Sequence, residues 1–159
     1  MTAAPELLSI IVPIFNEVRT SRAVIDRLLA IDLPVARELI VVDDGSTDGT
    51  REVLADAVSA GVPLTVILAE VNQGKGSAIR RGLQAARGTI IAIQDADLEL
   101  DPQQLADLVR PIVRGDTDVV YGSRFLSGRS TAPWVTVAAN RALTAPRRSA
   151  SPCSRSPCR

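Results

Sequence analysis

Four carboxylates lie within seven positions of the segment IAIQDADLELDP, residues 91–102, which begins in an apolar run: Asp95, Asp97, Glu99 and Asp101. Like charges this close together repel one another and resist ionisation. A divalent cation removes that repulsion, and Mg²⁺ or Mn²⁺ takes few ligands from the protein and the rest from water and substrate phosphates. The pair Asp95 and Asp97 therefore predicts a metal site that holds a nucleotide diphosphate and acts as a Lewis acid on the departing diphosphate.

Two other interpretations of the acidic segment fail because required residues are missing. A calcium loop of the EF-hand type requires a turn glycine where Leu100 stands and a terminal glutamate where Ala106 stands. A phosphatase-type D-x-D-x-T motif requires a threonine at the position of Glu99. Asp101 is set apart from the metal site, because its place before Pro102 predicts the N-cap of a helix.

The composition excludes several classes of function. The chain has 159 residues, of which 46% are apolar and 23% charged, as in an ordinary soluble globular domain. Its formal net charge of zero argues against a nucleic-acid partner. Histidine is absent, which excludes Ser-His and Cys-His catalysis and histidine-ligated zinc. Residues 141–159 hold five arginines and no acid, so residues 1–140 carry a net charge of −5.

The N-terminal and cysteine patterns predict a cytoplasmic protein. No apolar run approaches the ~18 residues of a membrane span, and the N-terminal MTAAPELLSIIVPIF lacks the basic region of a signal peptide. The two cysteines, Cys153 and Cys158, both lie near the C-terminus and predict no disulfide framework. A body without cysteine is typical of a reducing compartment.

Apolar runs alternate with helical patterns along the chain. The runs predict strands over 8–15, 38–44, 64–70, 89–94 and 118–123, and the patterns predict helices over 19–31, 48–61, 76–88 and 101–113. Strands that are apolar throughout, with helices between them, indicate a mostly parallel sheet covered on both faces. The predicted fold class is therefore a doubly wound α/β fold.

The same patterns predict the domain organisation. One domain is expected over residues 1–144, with its α/β core over 8–126. Residues 145–159, APRRSASPCSRSPCR, cannot bury a core and predict a disordered basic tail.

Polar residues follow every predicted strand. In chain order, the five segments that carry them are 13–17, 43–50, 72–76, 95–97 and 122–125. Ligands of open parallel sheets bind beyond the carboxyl ends of the strands, which all lie at one edge. Five such segments at the same edge therefore predict a binding site there.

Taken singly, several of these residues also fit structural roles. Glu17 suits the first turn of a helix, and DDGSTDGT suits a strand-to-helix turn, although that explains its first two aspartates poorly. The segment NQGKG matches neither the P-loop nor G-x-G-x-x-G, because Ile79 stands at the third glycine position. A lone lysine such as Lys75, or a lone arginine such as Arg124, is usually solvated.

Five motifs together resemble a known family. In chain order they are IIVPIFNE, VVDDGSTDGT, NQGKGSAIRRGLQAARG, IQDADLELDP and VVYGSRF. Their order and spacing, over residues 8 to about 126, are similar to those of family 2 glycosyltransferases of the GT-A fold, and most of all to dolichol-phosphate or polyprenyl-phosphate mannosyltransferases. The resemblance implies that a hexose, mannose or glucose, is transferred from a nucleotide sugar with Mg²⁺ or Mn²⁺ as cofactor.

The resemblance also implies roles for single residues. The residues that match the family's donor-binding positions are Pro13, Phe15, Glu17, Val42 and Asp44, and Lys75 is included with them. The D-x-D that holds metal and diphosphate matches Asp95, Ala96 and Asp97, with Glu99 as a further metal ligand. Arg124 matches an arginine beside the diphosphate, whose paired donors suit phosphate oxygens. Asp97 and Arg124 are the catalytic candidates.

The resemblance further implies the acceptor. In such relatives the phosphate of a polyprenyl phosphate attacks the anomeric carbon with inversion, and because that phosphate is already ionised it requires no strong general base. GDP-mannose is the first expectation for the donor and UDP-glucose the second. A lipid acceptor implies peripheral contact with the inner face of the membrane, and no protein partner is implied.

The chain departs from the family pattern after NRALT, where APRRSASPCSRSPCR replaces the expected acceptor-binding helices. We expect a truncated or frameshifted gene product, with a natural tail that meets anionic lipid or nucleic acid as the alternative. The alternative function is a nucleotide-sugar-binding module without transfer activity. A sugar nucleotidyltransferase is disfavoured, because it requires a glycine-rich motif after the first strand and PIFNE has no glycine.

Overall fold

The computed structural model describes residues 6–96 and 103–121, which belong to one compact unit ending at Tyr121. Four side chains with predicted roles, Asp97, Glu99, Asp101 and Arg124, lie outside the described residues. The predicted basic tail over 145–159 lies outside them as well.

Strands and helices alternate throughout the described part of the chain. They are β1 (Leu7–Ile14), α1 (Ser21–Ala30), β2 (Ala36–Asp43), α2 (Thr50–Ser59), β3 (Thr65–Leu68), α3 (Lys75–Ala85), β4 (Ile90–Ile93) and α4 (Gln104–Val113). The sheet order is β3-β2-β1-β4, and every neighbouring pair is parallel. The predicted doubly wound, mostly parallel α/β fold is confirmed.

The strand order places a topological switch point between β1 and β4. From β1 the chain adds β2 and then β3 on one side, and it returns to add β4 on the other side. The helix α3, which leads into β4, covers the face of the sheet opposite to the one covered by α1 and α2. A crevice is therefore expected at the carboxyl ends of β1 and β4, where the strand order reverses. This crevice is where a ligand of an open α/β sheet is expected.

Backbone hydrogen bonds continue past the strand ends into the segments that carry the polar residues. The amide of Asp44 donates to the carbonyl of Ile14 at 2.8 Å, and the amide of Gln94 donates to the carbonyl of Ile11 at 3.0 Å. The amide of Ala69 donates to the carbonyl of Asp43 at 2.8 Å. The segments after the strands are thus held in register with the sheet.

Alternation along the strands produces two apolar layers. On one face, the even-numbered residues of β1 from Leu8 to Ile14 pack with buried residues of α1, α2 and α4. On the other face, Ile11 packs with Ile40, Val42 and Ala78, the last of which belongs to α3. Helices therefore cover both faces, and α3 is the helix whose residues form the second layer.

Close contact between α3 and β1 depends on a glycine. A Cβ atom added at Gly82 would lie 2.5 Å from Cγ2 of Ile11, far inside van der Waals contact. Because Gly82 has no side chain, α3 approaches the sheet closely. This approach fixes where the N-terminal end of α3 lies relative to the crevice.

The predicted fifth strand over 118–123 is wrong for the part that the structure describes. Residues 118–121 form no strand. The hydroxyl of Thr117 donates to the carbonyl of Val119 at 3.1 Å, and the Val119 amide donates to the Thr117 hydroxyl at 3.3 Å. These local bonds occupy backbone groups that a strand would pair with its neighbour.

The last helix, predicted over 101–113, agrees with the prediction at its C-terminal end. α4 begins at Gln104, with Gln103 at the N-cap position in a helical backbone conformation. The prediction that Asp101 caps this helix falls on a residue outside the described part of the chain. α4 ends at Val113, as predicted, and Pro111, which was expected to limit the helix, lies within its last turn. The burial of Leu105, and of other apolar residues of α4, against the sheet outweighs the cost of a proline inside the helix.

No helix within residues 6–96 and 103–121 is long and apolar enough to cross a membrane.

Candidate functional site

A cavity of about 320 Å³ lies at the switch point. Seven residues with predicted binding roles line it: Pro13, Phe15, Glu17, Asp44, Lys75, Asp95 and Ala96. Four further residues complete the lining: Ile14, Asn72, Gly74 and Ala78. The cavity therefore joins segments that follow β1, β2 and β4 with the N-terminal end of α3.

The segment after β1 forms one wall of the cavity. Phe15 is 44% exposed and lies in the lining, so its ring is available to an apolar surface of a ligand. The hydroxyl of Thr20 donates to Glu17 Oε2 at 2.5 Å, which orients this carboxylate. The wall thus combines an aromatic ring with an oriented acid.

Hydrogen bonds hold this wall to the segment after β2. Asn16 has φ of 54°, a left-handed conformation that asparagine tolerates better than most residues. Its amide N–H donates to Ser46 Oγ at 2.9 Å, and its Oδ1 accepts from the Thr47 amide at 2.9 Å. The Glu17 amide donates to Thr50 Oγ1 at 3.0 Å. These contacts join the segment after β1 to the segment after β2.

Asp48 stabilises the same junction. Its carboxylate accepts hydrogen bonds from the Thr50 hydroxyl at 2.5 Å, from the Thr50 amide at 3.0 Å and from the Val18 amide at 3.1 Å. The hydrogen bond from the Thr50 hydroxyl, reinforced by these amides against a smaller desolvation effect, lowers the pKa of Asp48. Asp48 is therefore an acceptor for the loop backbone, and it is absent from the cavity lining.

Asp43 is a structural residue. Its side chain is fully buried and accepts hydrogen bonds from Arg51 Nε at 2.9 Å and from the Ser46 amide at 3.2 Å. Arg51 also donates to the carbonyl of Ala69, at the end of β3. Asp43 thus links the start of α2 to the sheet and does not line the cavity.

Asp44, the next residue, lines the cavity and holds the segment before α3. Its carboxylate accepts the Gly74 amide at 2.6 Å and the Gln73 amide at 3.2 Å. Gly45 has φ of +83°, and a Cβ there would lie 2.5 Å from the amide nitrogen of Asn72. The backbone of this segment therefore approaches residues 44–45 as closely as glycine allows.

The N-terminal end of α3 forms another part of the cavity lining. Gly74 is its N-cap, with Lys75 as the first helical residue, and both line the cavity. The first amide groups of a helix lack acceptors within the helix and carry partial positive charge. Nζ of Lys75 donates to Oδ1 of Asp95 in a direct ion pair. The cavity lining thus holds a positive charge and a carboxylate in direct contact.

Asp95 suits a divalent cation, although the described residues do not complete a site. Its side chain is 40% exposed and already pairs with the ammonium of Lys75, which shows that the position favours positive charge. Within the described residues, no group of three or more His, Cys, Asp or Glu side chains could hold a metal. Mg²⁺ and Mn²⁺ often take one or two carboxylates and complete their shell with water and phosphate oxygens. Asp95 fits that use.

The structure does not bring Val42 to the cavity. Its side chain is fully buried and packs in the layer beneath α3, so it contacts the sheet and not an open surface.

Sequence reasoning also missed some residues: Ile14 and Ala78 are apolar and carry no chemical signal in the sequence. Arg51 was missed because its partner Asp43 is the last residue of β2 whereas Arg51 lies in α2, so the periodicity of neither element predicts their contact.

Comparison with known proteins decides the family. The sequence model described as "Glycosyl transferase family 2" matches residues 9–154. The chain belongs to glycosyl transferase family 2. This assignment agrees with the resemblance that the five sequence motifs carry, and it gives a family context for the cavity at the switch point.

Curated relatives act on polyprenyl phosphates according to their names. The chain is 37% identical over 120 residues to dodecaprenyl-phosphate galacturonate synthase of Rhizobium johnstonii, covering 74% of this chain and 36% of the relative. It is 32% identical over 127 residues to dolichol-phosphate mannosyltransferase of Pyrococcus furiosus, covering 80% of this chain and 36% of the relative. The chain spans about a third of the length of these curated relatives.

Solved structures confirm the GT-A fold. The mannosyltransferase PcManGT of Pyrobaculum calidifontis, in complex with GDP-Man and Mn²⁺, is 31% identical with a TM-score of 0.60, over 69% of this chain and 32% of that one. Glucosyl-3-phosphoglycerate synthase of Mycobacterium tuberculosis, in complex with Mn²⁺, UDP and glucosyl-3-phosphoglycerate, is 32% identical with a TM-score of 0.55, over 67% and 39%.

Proposed function

We propose that the protein is an inverting glycosyltransferase that moves a hexose from a nucleotide diphosphate sugar to a polyprenyl-phosphate acceptor with the help of a divalent cation. The observation that carries this proposal is the cavity at the switch point, where seven residues selected from the sequence meet. The family assignment and the names of the relatives support it.

Two walls of the cavity suit two parts of a nucleotide sugar. Phe15 and Pro13 offer apolar surface to the base and ribose, and Glu17 offers an oriented carboxylate to hydroxyl or amide donors. In another part of the lining, the amide groups at the start of α3 and the ammonium of Lys75 suit the diphosphate. GDP-mannose is the first candidate and UDP-glucose the second.

Asp95, with Asp97 and Glu99 from the same acidic segment, would hold Mg²⁺ or Mn²⁺. The bound cation supplies Lewis-acid assistance to departure of the diphosphate. Arg124 is proposed to offer paired donors to the phosphate oxygens, as its match to the family motif implies. The roles of Asp97, Glu99 and Arg124 are drawn from the sequence motifs.

The proposed acceptor requires no activation by a side chain of the protein. The phosphate of a polyprenyl phosphate is an anionic nucleophile at neutral pH, so no general base is required. The printed names of the relatives include dodecaprenyl-phosphate and dolichol-phosphate enzymes, which supports this acceptor class. Such an acceptor places the protein at the inner face of the membrane as a peripheral protein. The proposed domain comprises residues 1–144, with 145–159 as a basic tail.

A nucleotide-sugar-binding module without transfer activity is the second candidate. One observation favours it: every described cavity residue with a predicted role is assigned to binding of the nucleotide-sugar donor. The two candidates predict the same donor binding and differ in turnover.

The experiment that tests the proposal incubates the full chain with Mn²⁺, radiolabelled GDP-mannose or UDP-glucose, and polyprenyl phosphate in detergent. Appearance of label in the lipid fraction, absent when Mn²⁺ is chelated, is expected. Metal-dependent donor binding without lipid labelling would establish the binding module instead. Failure of GDP, UDP and both nucleotide sugars to bind would reject both candidates.

A further inference from the structure

The ion pair between Lys75 and Asp95 joins α3 to the segment after β4 in the cavity lining. Contacts of Asp44 with the amides of Gln73 and Gly74 hold the backbone just before Lys75. The ion pair itself is accessible to solvent, because the side chain of Lys75 is 57% exposed and that of Asp95 is 40% exposed. The backbone at Lys75 is therefore held in place, while its ammonium group can exchange one partner for another.

This pairing conflicts with metal binding at Asp95. The ammonium of Lys75 contacts Oδ1 of Asp95 directly, so that oxygen is occupied. A divalent cation at the same carboxylate would lie close to the ammonium, and two cations at that separation repel each other. Metal can therefore use Asp95 fully only when the ammonium has moved away.

The charges that line the cavity show where the ammonium would move. Counted formally, the described lining holds three carboxylates, on Glu17, Asp44 and Asp95, and one ammonium. A diphosphate that binds without metal adds negative charge to a negatively charged cavity. A metal ion that binds without diphosphate is repelled by the ammonium of Lys75. When both bind, the phosphate oxygens offer the ammonium of Lys75 a new partner beside the start of α3.

We propose that Lys75 is an exchangeable counter-ion that makes metal binding depend on the nucleotide. It pairs with Asp95 while the cavity holds neither ligand, and it transfers its ammonium to the phosphate oxygens when metal and diphosphate arrive together. Lys75 thus weakens binding of the metal alone and strengthens binding of the nucleotide with metal. This inference rests on the proposed function, since it assigns a diphosphate to the cavity.

The test measures Mn²⁺ binding to the full chain by electron paramagnetic resonance, first without nucleotide. Lys75→Met should bind Mn²⁺ about two- to fivefold more tightly than the wild type, the range expected for loss of an exposed ion pair. With saturating Mn²⁺, the same variant should bind GDP or UDP about three- to tenfold more weakly, because the phosphate loses a charged partner. Opposite changes in the two affinities are the signature of the exchange.

Three further variants serve as controls. Arg80→Met removes one positive charge from an exposed position of α3 outside the cavity lining and should change neither affinity. In an Asp95→Asn background, Lys75→Met should no longer tighten Mn²⁺ binding, because the competition has been removed. Lys75→Gln should reproduce Lys75→Met, which separates loss of charge from the shape of the new side chain.

The inference is overturned if Lys75→Met and Lys75→Gln bind Mn²⁺ no more tightly than the wild type, or if Arg80→Met tightens it equally. It is also overturned if both Lys75 variants bind nucleotide as the wild type does. If the wild-type protein binds no nucleotide at all, the proposed function fails, whereas the Mn²⁺ measurement without nucleotide still decides whether Lys75 competes for Asp95.

Discussion

At the scale of single residues, Asp43 and Asp44 show how neighbours of the same chemistry acquire different roles. Side chains of a strand alternate between faces, so the two carboxylates at the end of β2 point to opposite layers. Asp43 is paired with Arg51 on one side, and Asp44 accepts the amides of Gln73 and Gly74 on the other. Only Asp44 contributes to the cavity.

Replacing each aspartate by asparagine should separate these roles. In Asp44→Asn, an amide group replaces an acceptor that faces two backbone N–H groups, so the segment before α3 should shift and the cavity should lose affinity for GDP or UDP by about tenfold. Asp43→Asn, the matched control, should lower the free energy of unfolding by roughly 1–3 kcal/mol and leave nucleotide affinity within about twofold. Urea denaturation and nucleotide titration with Mn²⁺ measure both. Equal loss of affinity in the two variants would contradict the assignment.

The sequence predicted much of the site at this scale because its polar residues stand directly after apolar strands. Phe15, Glu17, Lys75 and Asp95 could be selected in that way, and the structure brings them together. The partners of those residues could not be predicted, since they depend on contacts between distant segments. The bond between the Glu17 amide and the Thr50 hydroxyl, 33 residues apart, is one such contact.

At the scale of elements, β1 and β2 were the most predictable, because their apolar runs are continuous and both are buried between two layers. The segment over 118–123 contains the β-branched and aromatic run Val119, Val120 and Tyr121, yet residues 118–121 form no strand. A strand requires a pairing partner in the sheet, and the local sequence does not specify that partner. Side-chain bonds of Thr117 satisfy the backbone there instead.

The close packing of α3 on β1 can be tested at Gly82. Gly82→Ala would place a Cβ 2.5 Å from Ile11 Cγ2, so we expect a loss of about 1–3 kcal/mol in the free energy of unfolding. Gly76→Ala, in the same helix, meets nothing within 4 Å and should stabilise the protein by about 0.5–1 kcal/mol. Chemical denaturation of both variants measures the difference. A Gly82→Ala variant as stable as Gly76→Ala would show that α3 lies farther from the sheet.

Glu38 links β1, β2 and the turn between α3 and β4. It accepts the Ser9 hydroxyl at 2.6 Å, the Arg87 amide at 2.6 Å and Arg87 Nε at 2.9 Å. Desolvation by burial alone would raise the pKa of Glu38, but the hydrogen bonds from Ser9 and Arg87, with the charge of Arg87, outweigh it. Together they lower the pKa from 4.5 to about 2.

This lowered pKa predicts a pH-dependent stability. The charged form of Glu38 is favoured by folding, so its contribution is present above about pH 4.5 and is lost as the pH falls toward about 2. Glu38→Gln should reduce the free energy of unfolding by about 1–3 kcal/mol at pH 7, and by less at each lower pH. Urea denaturation at pH 7, pH 4 and pH 2.5 measures this gap. A gap that stays constant over this range would contradict the role of the Glu38 charge.

At the scale of the whole molecule, the switch point explains why residues from four segments meet. In the order β3-β2-β1-β4 the direction of strand addition reverses between β1 and β4, and the cavity lies at the carboxyl ends of these strands, beside the start of α3. Parallel pairing places the carboxyl ends of the strands at one edge, so a sequence with polar residues after each strand predicts the site. The strand order could not be predicted from the sequence, because it depends on pairing between distant segments.

The most direct test of the account is metal-dependent donor binding by the wild-type chain and by Asp95→Asn, measured by calorimetry with GDP-mannose and UDP-glucose. Asp107→Asn is the matched control, since Asp107 is an exposed carboxylate of α4 that pairs with Arg110 and lies outside the cavity lining. We predict that the wild type and Asp107→Asn bind one of the donors only when Mn²⁺ is present, and that Asp95→Asn loses this binding while keeping its melting temperature. Donor binding that is independent of Mn²⁺, or that survives in Asp95→Asn, would contradict the account.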